Sequence, residues 1–280
     1  TNPGGSFGQS VRTFATSSFD DSSRSKGAAP GPNPRRSQRS TQRSRVTRAG
    51  MEWRSGGTSN TELVQNLRNN DIIKSDAVME AMLRVDRGNY VPEQLRGERY
   101  QDRPVPIGYE ATISAPHMHA HALSMLEANL QPGMRALDVG SGSGYLTSIM
   151  GQMVTGNCGP ADTSGGLVVG IDYIPQLVEM GISNVQKGPE KDMLDKNMFL
   201  LQGDGWKGHP DKAPYNAIHV GAAAADFPEA LEEQLAPGGV MVIPVGTDSQ
   251  IFYRVDKAMD GQITRTALFG VRYVPLVKRP

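Results

Sequence analysis

The residues most able to do chemistry cluster in four short stretches. In Asp138-Val-Gly-Ser-Gly-Ser-Gly144, glycine recurs at alternate positions, Gly140, Gly142 and Gly144, two places after a carboxylate. Such a loop turns sharply and lets a ligand lie against main chain with no Cβ in the way. The spacing is G-x-G-x-G, not the G-x-G-x-x-G that seats a pyrophosphate on a helix N-terminus, which disfavours an NAD-linked dehydrogenase. A second carboxylate, Asp172, ends the apolar run Leu167-Val-Val-Gly-Ile171, where an acid can accept from both hydroxyls of a ribose or can simply cap the next helix. Asp204 follows Gly203 at the end of a third such run, Met198 to Gln202. Finally, Ala111-Thr-Ile-Ser-Ala-Pro-His-Met-His-Ala120 brings a hydroxyl, Ser114, close to His117, His119 and His121. The His spacing could chelate a metal, but no nearby Cys or acidic cluster completes a site, so no metal is expected and packing histidines are the default. No Ser/His/Asp triad is apparent.

These groups need a scaffold, and hydrophobic periodicity supplies one. Arg135–Val139, Leu167–Asp172, Met198–Gln202, Pro214–Gly221 and Val240–Val245 read as buried strands in a strand–loop–helix succession that ends with the fifth. Five such repeats predict an α/β fold with a doubly wound parallel sheet. Only Gly246-Thr-Asp-Ser249 separates the fifth strand from Gln250–Val255, too short for a helical crossover, so strand six is expected antiparallel beside five. A turn at Asp260-Gly261 leads to a seventh strand, Thr266–Pro275, and the expected order is 3-2-1-4-5-6-7. Ahead of the sheet, Thr61–Arg68 and Ser75–Arg84 show helical spacing with Ser75 as N-cap. The stretch with Pro104, Pro106 and Gly108 reads as irregular, and Ser114 as the cap of a helix that starts near Pro116 and runs to about Asn129.

The chain has 280 residues and zero formal net charge, but residues 1–50 hold eight Arg and Lys26 against Asp20 and Asp21. That tail is near +7 and the remainder near −7. The expected organisation is a disordered, basic, Ser/Arg-rich segment over 1–55 and a single domain over 56–280. The tail suits an inert extension, an organelle transit peptide or a nuclear signal, so the cytoplasmic location expected of the core has plastid, mitochondrion and nucleus as alternatives. A single cysteine, Cys158, fits a reducing compartment. No apolar run reaches the ~20 residues of a membrane span, so no membrane partner is expected.

Motif I of the S-adenosylmethionine-dependent methyltransferases looks like Asp138–Gly144, and its ligand carries no phosphate. More specifically, the core from about Thr61 to Leu276 resembles the protein-L-isoaspartate O-methyltransferase family. The likeness rests on Tyr90-Val-Pro92, Ala111–Ala120, Leu137–Gly144, Gly203-Asp-Gly205, Pro214–Ala223, Leu235-Ala-Pro-Gly-Gly239 and Tyr273-Val-Pro-Leu276. It implies S-adenosyl-L-methionine as cofactor and methylation of the free carboxylate of L-isoaspartyl, and D-aspartyl, residues in damaged proteins, opening repair through a succinimide. By resemblance Ser114 is the active-site hydroxyl, with Ala111, Thr112, Ile113 and His119 around the substrate. Asp138, Gly140, Ser141, Gly142, Ser143, Asp172, Tyr173, Gly203 and Asp204 fall to the cofactor. Where such chains often continue with Thr and a charged helix, this one reads Val277-Lys-Arg-Pro280, and the contacts of such an extension are expected to differ.

A carboxylate is already nucleophilic at neutral pH, so the implied reaction needs positioning and exclusion of water more than a base. Other readings are a methyltransferase for a small molecule or RNA, or a non-enzymatic binding module with the same fold. The acidic core argues against a phosphate-tracking surface, so no nucleic-acid partner is expected. A monomer is expected, with isoaspartyl proteins and peptides as partners.

Overall fold

A computed structural model describes residues 55–156 and 165–277, so the readings on the basic tail and on Cys158 lie outside the described residues. Nine strands and six α-helices are described, the strands being Val105–Gly108 (β1), Ala111–Ile113 (β2), Arg135–Val139 (β3), Leu167–Asp172 (β4), Met198–Gln202 (β5), Tyr215–Val220 (β6), Leu235–Val245 (β7), Gln250–Lys257 (β8) and Ile263–Val271 (β9). The helices are Asn60–Asn69 (α1), Asp76–Arg84 (α2), Pro116–Leu126 (α3), Tyr145–Val154 (α4), Pro175–Val185 (α5) and Glu229–Gln234 (α6).

The main sheet has the order β5-β4-β3-β6-β7-β8-β9. Counted from β3 as the first core strand, this is the expected 3-2-1-4-5-6-7. Strands β5, β4, β3, β6 and β7 are parallel, and β8 alone runs against its neighbours. All six residues of β4 and four of the five in β3 are buried, as parallel strands covered on both faces require. Alternate side chains divide between two cores. Ala136, Val168, Met198 and Ala217 join α1 to α5 on one face, while Leu137, Val169, Ile218 and Met241 meet Leu231 of α6 on the other.

Every residue of α4 is buried, so this helix is wedged between the sheet and the N-terminal helices. The close approach is set by glycine. Gly144, at φ +84°, would carry a Cβ 3.3 Å from the Cα of Gly181 in α5. Ser75 caps α2 as expected, accepting from the Val78 N–H.

Four expectations need correction. The stretch with Pro106 is no irregular loop; β1 and β2 form an antiparallel hairpin whose turn residues, Tyr109 and Glu110, both sit at positive φ (53° and 60°) without the usual glycine signal. Ser114 does not cap α3. The N-cap is Ala115, without a side-chain cap bond, and the Asp102 carboxylate accepts instead from the His117 N–H at 3.0 Å and faces its Nδ1 at 2.9 Å. The third repeat has no α-helix, only a 3-10 turn at Pro210–Lys212, because Pro210 and Pro214 leave no room for one. Strand seven stops at Val271; residues 272–276 leave the sheet and bond instead to Ala223, through Ala223 N–H to Val274 C=O (2.8 Å) and Leu276 N–H to Ala223 C=O (2.7 Å).

Packing here has two measurable consequences. A Cβ on Gly170 in β4 would lie 2.7 Å from both Thr147 Oγ1 and Leu200 Cδ2, so Gly170→Ala is expected to cost about 1–3 kcal/mol in denaturant unfolding. Glu190, in the turn after α5, is fully buried with both carboxylate oxygens unpartnered, and burial pushes its carboxyl up to about 7. Between its ordinary 4.5 and about 7 the folded chain holds a proton that the unfolded chain releases, so stability falls as pH rises through that window. Glu190→Gln is expected to remove that slope and to stabilise the protein at pH 8 by about 2–3 kcal/mol, read from unfolding curves across pH.

Candidate active site

The glycine loop leaves the end of β3 and enters α4 with Gly140, Gly142 and Gly144 all at positive φ (76°, 51° and 84°). Three of its amides are engaged within the protein: Gly140 and Ser141 both donate to the Ile171 carbonyl, at 2.8 and 3.0 Å, and Gly142 donates to Asp172 Oδ2 at 3.0 Å. The Ser143 carbonyl accepts from Asn184 in α5 at 3.1 Å, and Ser141 and Ser143 are both buried. Beneath the loop lies Asp138, buried, with Oδ2 accepting from Thr147 at 2.6 Å and Oδ1 2.8 Å from His219 Nδ1. Its carboxylate therefore ties β3 to α4 and to β6 from behind the loop.

Asp172 ends β4 facing the same loop. Oδ1 accepts from the Ile174 N–H at 3.0 Å, so the residue does hold the entry to α5. A carboxylate has about four lone-pair positions, which leaves capacity for two more donors such as a ribose diol. Burial raises its pKa, and the amides of Ile174 and Gly142 oppose that rise. Tyr173 beside it is exposed. Gly203 donates to the Asp172 carbonyl at 2.9 Å, and Asp204 accepts from the Trp206 N–H at 3.0 Å. The cofactor-side residues thus lie at the carboxyl ends of β3, β4 and β5. The set of acceptors and small residues fits an uncharged ribose and an adenine edge: carboxylates for hydroxyl and amino donors, and a Cβ-free rim for close approach.

The substrate-side residues come from the hairpin. Thr112 and Ser114 line a cavity of about 300 Å³ together with Met118, Gly221, Arg272 and Tyr273. The two halves meet at Gly221, which donates to the Val139 carbonyl at 2.7 Å, while a Cβ on Gly140 would lie 3.7 Å from its carbonyl carbon. Ile107 of β1 is nearer still, 3.2 Å from a Cβ placed on Gly142. Ala111 is half-buried, and Ile113 points into the core. His119 is buried and does not line that cavity, its ring 5.3 Å from that of Tyr145. Burial first, then the charges of Arg87, His219 and His117, hold its pKa well below the ordinary value, so it is neutral. Among the described residues no group of three metal-ligating side chains is found.

Several residues here escaped the sequence reading. Tyr273 sits on the cavity wall; burial pushes its phenol up to about 12, with the Ser114 hydroxyl pulling the other way, so it is a neutral hydrogen-bonding group. His219 stands between the apolar Ile218 and Val220 near the carboxyl end of β6, and that break in pattern was the available signal. Arg87 donates from Nη2 to the Ser114 carbonyl at 3.0 Å, and an arginine in a loop gives no sequence signal for burial.

The protein-L-isoaspartate(D-aspartate) O-methyltransferase family model matches residues 58–280. A Caenorhabditis elegans protein-L-isoaspartate O-methyltransferase is 48% identical over 82% of this chain and 97% of its own length. The chain belongs to this family. An Arabidopsis thaliana protein-L-isoaspartate O-methyltransferase 2 is 49% identical over 80% of the chain and 70% of its own length. A Plasmodium falciparum chain described as a protein-L-isoaspartate O-methyltransferase, solved in complex with S-adenosyl-L-homocysteine, superposes with a TM-score of 0.71 at 36% identity, over 80% of this chain and all of that one. The fold is that of the S-adenosylmethionine-dependent methyltransferases, and S-adenosylmethionine is the cofactor that membership brings. Of the C-terminal departure, Val277 is exposed, and residues 278–280 lie outside the described residues.

If Asp172 takes the ribose hydroxyls, Asp172→Asn, which trades half of its acceptors for donors, is expected to weaken S-adenosylhomocysteine binding by about tenfold or more in calorimetric titration.

Proposed function

We propose that this enzyme methylates the free carboxylate of L-isoaspartyl residues in damaged polypeptides, with D-aspartyl residues as a second acceptor, and that Ser114 positions that carboxylate. The observation that carries the reading is the junction at Gly221. A cavity walled by Thr112 and Ser114 abuts the glycine loop that belongs to the cofactor, so acceptor and donor sites share a wall.

Bound along that loop, S-adenosylmethionine supplies a methyl group already activated on a sulfonium. The chain's own work is then geometric. Asp172 and Asp204 hold the nucleoside end; Gly140, Gly142 and Gly144 let the backbone come close. On the other side the Ser114 hydroxyl orients a carboxylate oxygen that needs no general base, because it is ionised at neutral pH. Thr112 and Tyr273 complete the wall and exclude water, and a reaction in which anion and cation neutralise each other gains from a dry site. Buried, neutral His119 packs against Tyr145, and the reaction asks no proton transfer of it.

The protein is proposed to act as a monomer on exposed chain segments, in the cytoplasm or another reducing compartment, with the basic tail leaving plastid, mitochondrion and nucleus open. No helix among the described residues is long and apolar enough to cross a membrane. The −7 balance of residues 51–280 supports a polypeptide partner over nucleic acid.

The test uses two peptides that differ only in an L-isoaspartyl or L-aspartyl linkage, incubated with labelled S-adenosylmethionine. Base-labile label on the isoaspartyl peptide alone is expected; label on neither, with cofactor still bound, would point to another acceptor. Ser114→Ala is expected to lower kcat/KM by about 10- to 100-fold while leaving S-adenosylhomocysteine affinity unchanged, as loss of alignment demands.

A further inference from the structure

Arg87 opens the 3-10 turn Arg87–Tyr90, and its side chain is fully buried, with 0% exposure. Its guanidinium has one hydrogen-bond partner among the described residues, the Ser114 carbonyl, and sits over the Tyr145 ring with Cζ 5.4 Å from the centroid. Nε and Nη1 find no acceptor. Of the carboxylates around it, Asp86 Oδ1 accepts from Gly88 N–H (2.8 Å) and the Tyr100 hydroxyl (2.9 Å), while Asp102 serves His117 through Oδ1 and leaves Oδ2 buried without a hydrogen-bond partner. Burial brings the guanidinium down only to about 10, so it remains charged at neutral pH.

A buried cation without a bonded anion lowers stability, and an apolar side chain of similar volume would be tolerated as well or better. Asp102 attracts the guanidinium electrostatically without bonding to it, and that carboxylate is shared with His117. The one group Arg87 grips is the backbone of the residue at the acceptor cavity, and the acceptor is itself an anion.

We propose that Arg87 is a positioning residue that fixes Ser114 from behind and sets the acceptor's charge preference, so that the cavity favours an ionised carboxylate over a neutral group of the same shape. The inference rests on the acceptor site being the Ser114 cavity. Arg87 does not touch the substrate. It holds the Ser114 carbonyl in place, and its field acts through the cavity wall, where low polarisability weakens screening. The neighbouring histidines do not supply this charge: His119 is neutral, and His117 and His219 are each bonded to a carboxylate.

The test compares full-length wild type with Arg87→Met, Arg87→Gln and Arg87→Lys. The readouts are KM and kcat for an isoaspartyl peptide, inhibition by its isoasparaginyl amide, S-adenosylhomocysteine affinity and the unfolding midpoint. Arg87→Met is expected to raise KM for the carboxylate peptide about tenfold and the amide's inhibition constant by clearly less, with cofactor affinity within about twofold. Its unfolding midpoint should hold or rise, as when a buried ion is replaced by a packed apolar group. Arg87→Gln, which keeps a donor for the Ser114 carbonyl but no charge, should share the rise in KM, and Arg87→Lys should restore most of the preference. Equal weakening of carboxylate and amide would make Arg87 a matter of shape and overturn the proposal, as would an unchanged KM in Arg87→Gln. Should Arg87→Met fail to fold, the Gln and Lys variants decide alone. Wild type that binds cofactor but leaves the isoaspartyl peptide unmethylated would instead refute the proposed function.

Discussion

The structure depends most on a single buried carboxylate. Asp138 is the penultimate residue of the central strand, and its two oxygens reach Thr147 in α4 and His219 in β6. A buried carboxylate stays ionised at low cost only when its lone pairs are met, so these contacts constrain three segments together. Between Asp138 and Thr147 the chain must turn through Gly140, Gly142 and Gly144, and their positive φ values follow from that closure. The amides of Gly140 and Ser141 share the Ile171 carbonyl and Gly142 finds Asp172, so the loop has little freedom left. A preorganised loop loses less entropy when it takes a ligand.

The acceptor side is held by different means. It has a short hairpin at the sheet's carboxyl edge, a buried arginine under Ser114, and a returning segment, residues 272–276, that bonds to Ala223 and anchors Trp206 through Nε1 to the Leu276 carbonyl at 3.0 Å. Leu276 fills the space over Gly205, where a Cβ would lie 2.7 Å from its Cδ1. Gly221 couples this half to the glycine loop. Chemistry between an anion and a cation asks for alignment in a dry place, and both halves are built of backbone fixed by buried polar contacts.

Much of this was legible in the residues. The order of the sheet followed from counting: four residues between β7 and β8 forbid a crossover, and Asp260-Gly261 signals the next turn. The glycine loop and the acids at the ends of β4 and β5 were visible because strand ends and Gly spacing are local. What escaped was set by tertiary contact. Tyr109 and Glu110 turn a hairpin at positive φ, two central positions without glycine, with only Gly108 before them. Asp102, distant in sequence, serves the start of α3 in place of Ser114. Prolines reduced the third crossover to a single 3-10 turn. Arg87 is buried because of what surrounds it, and nothing in Asp86-Arg-Gly-Asn-Tyr90 says so.

The claim that Asp138 holds the cofactor loop from behind is tested most directly at Thr147, which is fully buried beneath the loop. Calorimetric titration of S-adenosylhomocysteine into Thr147→Val, beside its unfolding curve, separates support of the loop from support of the fold. The account predicts a cooperatively folded protein whose affinity is weakened by about tenfold, the effect of freeing one buried charge-assisted hydrogen bond. Unchanged affinity with only a loss of stability would contradict it.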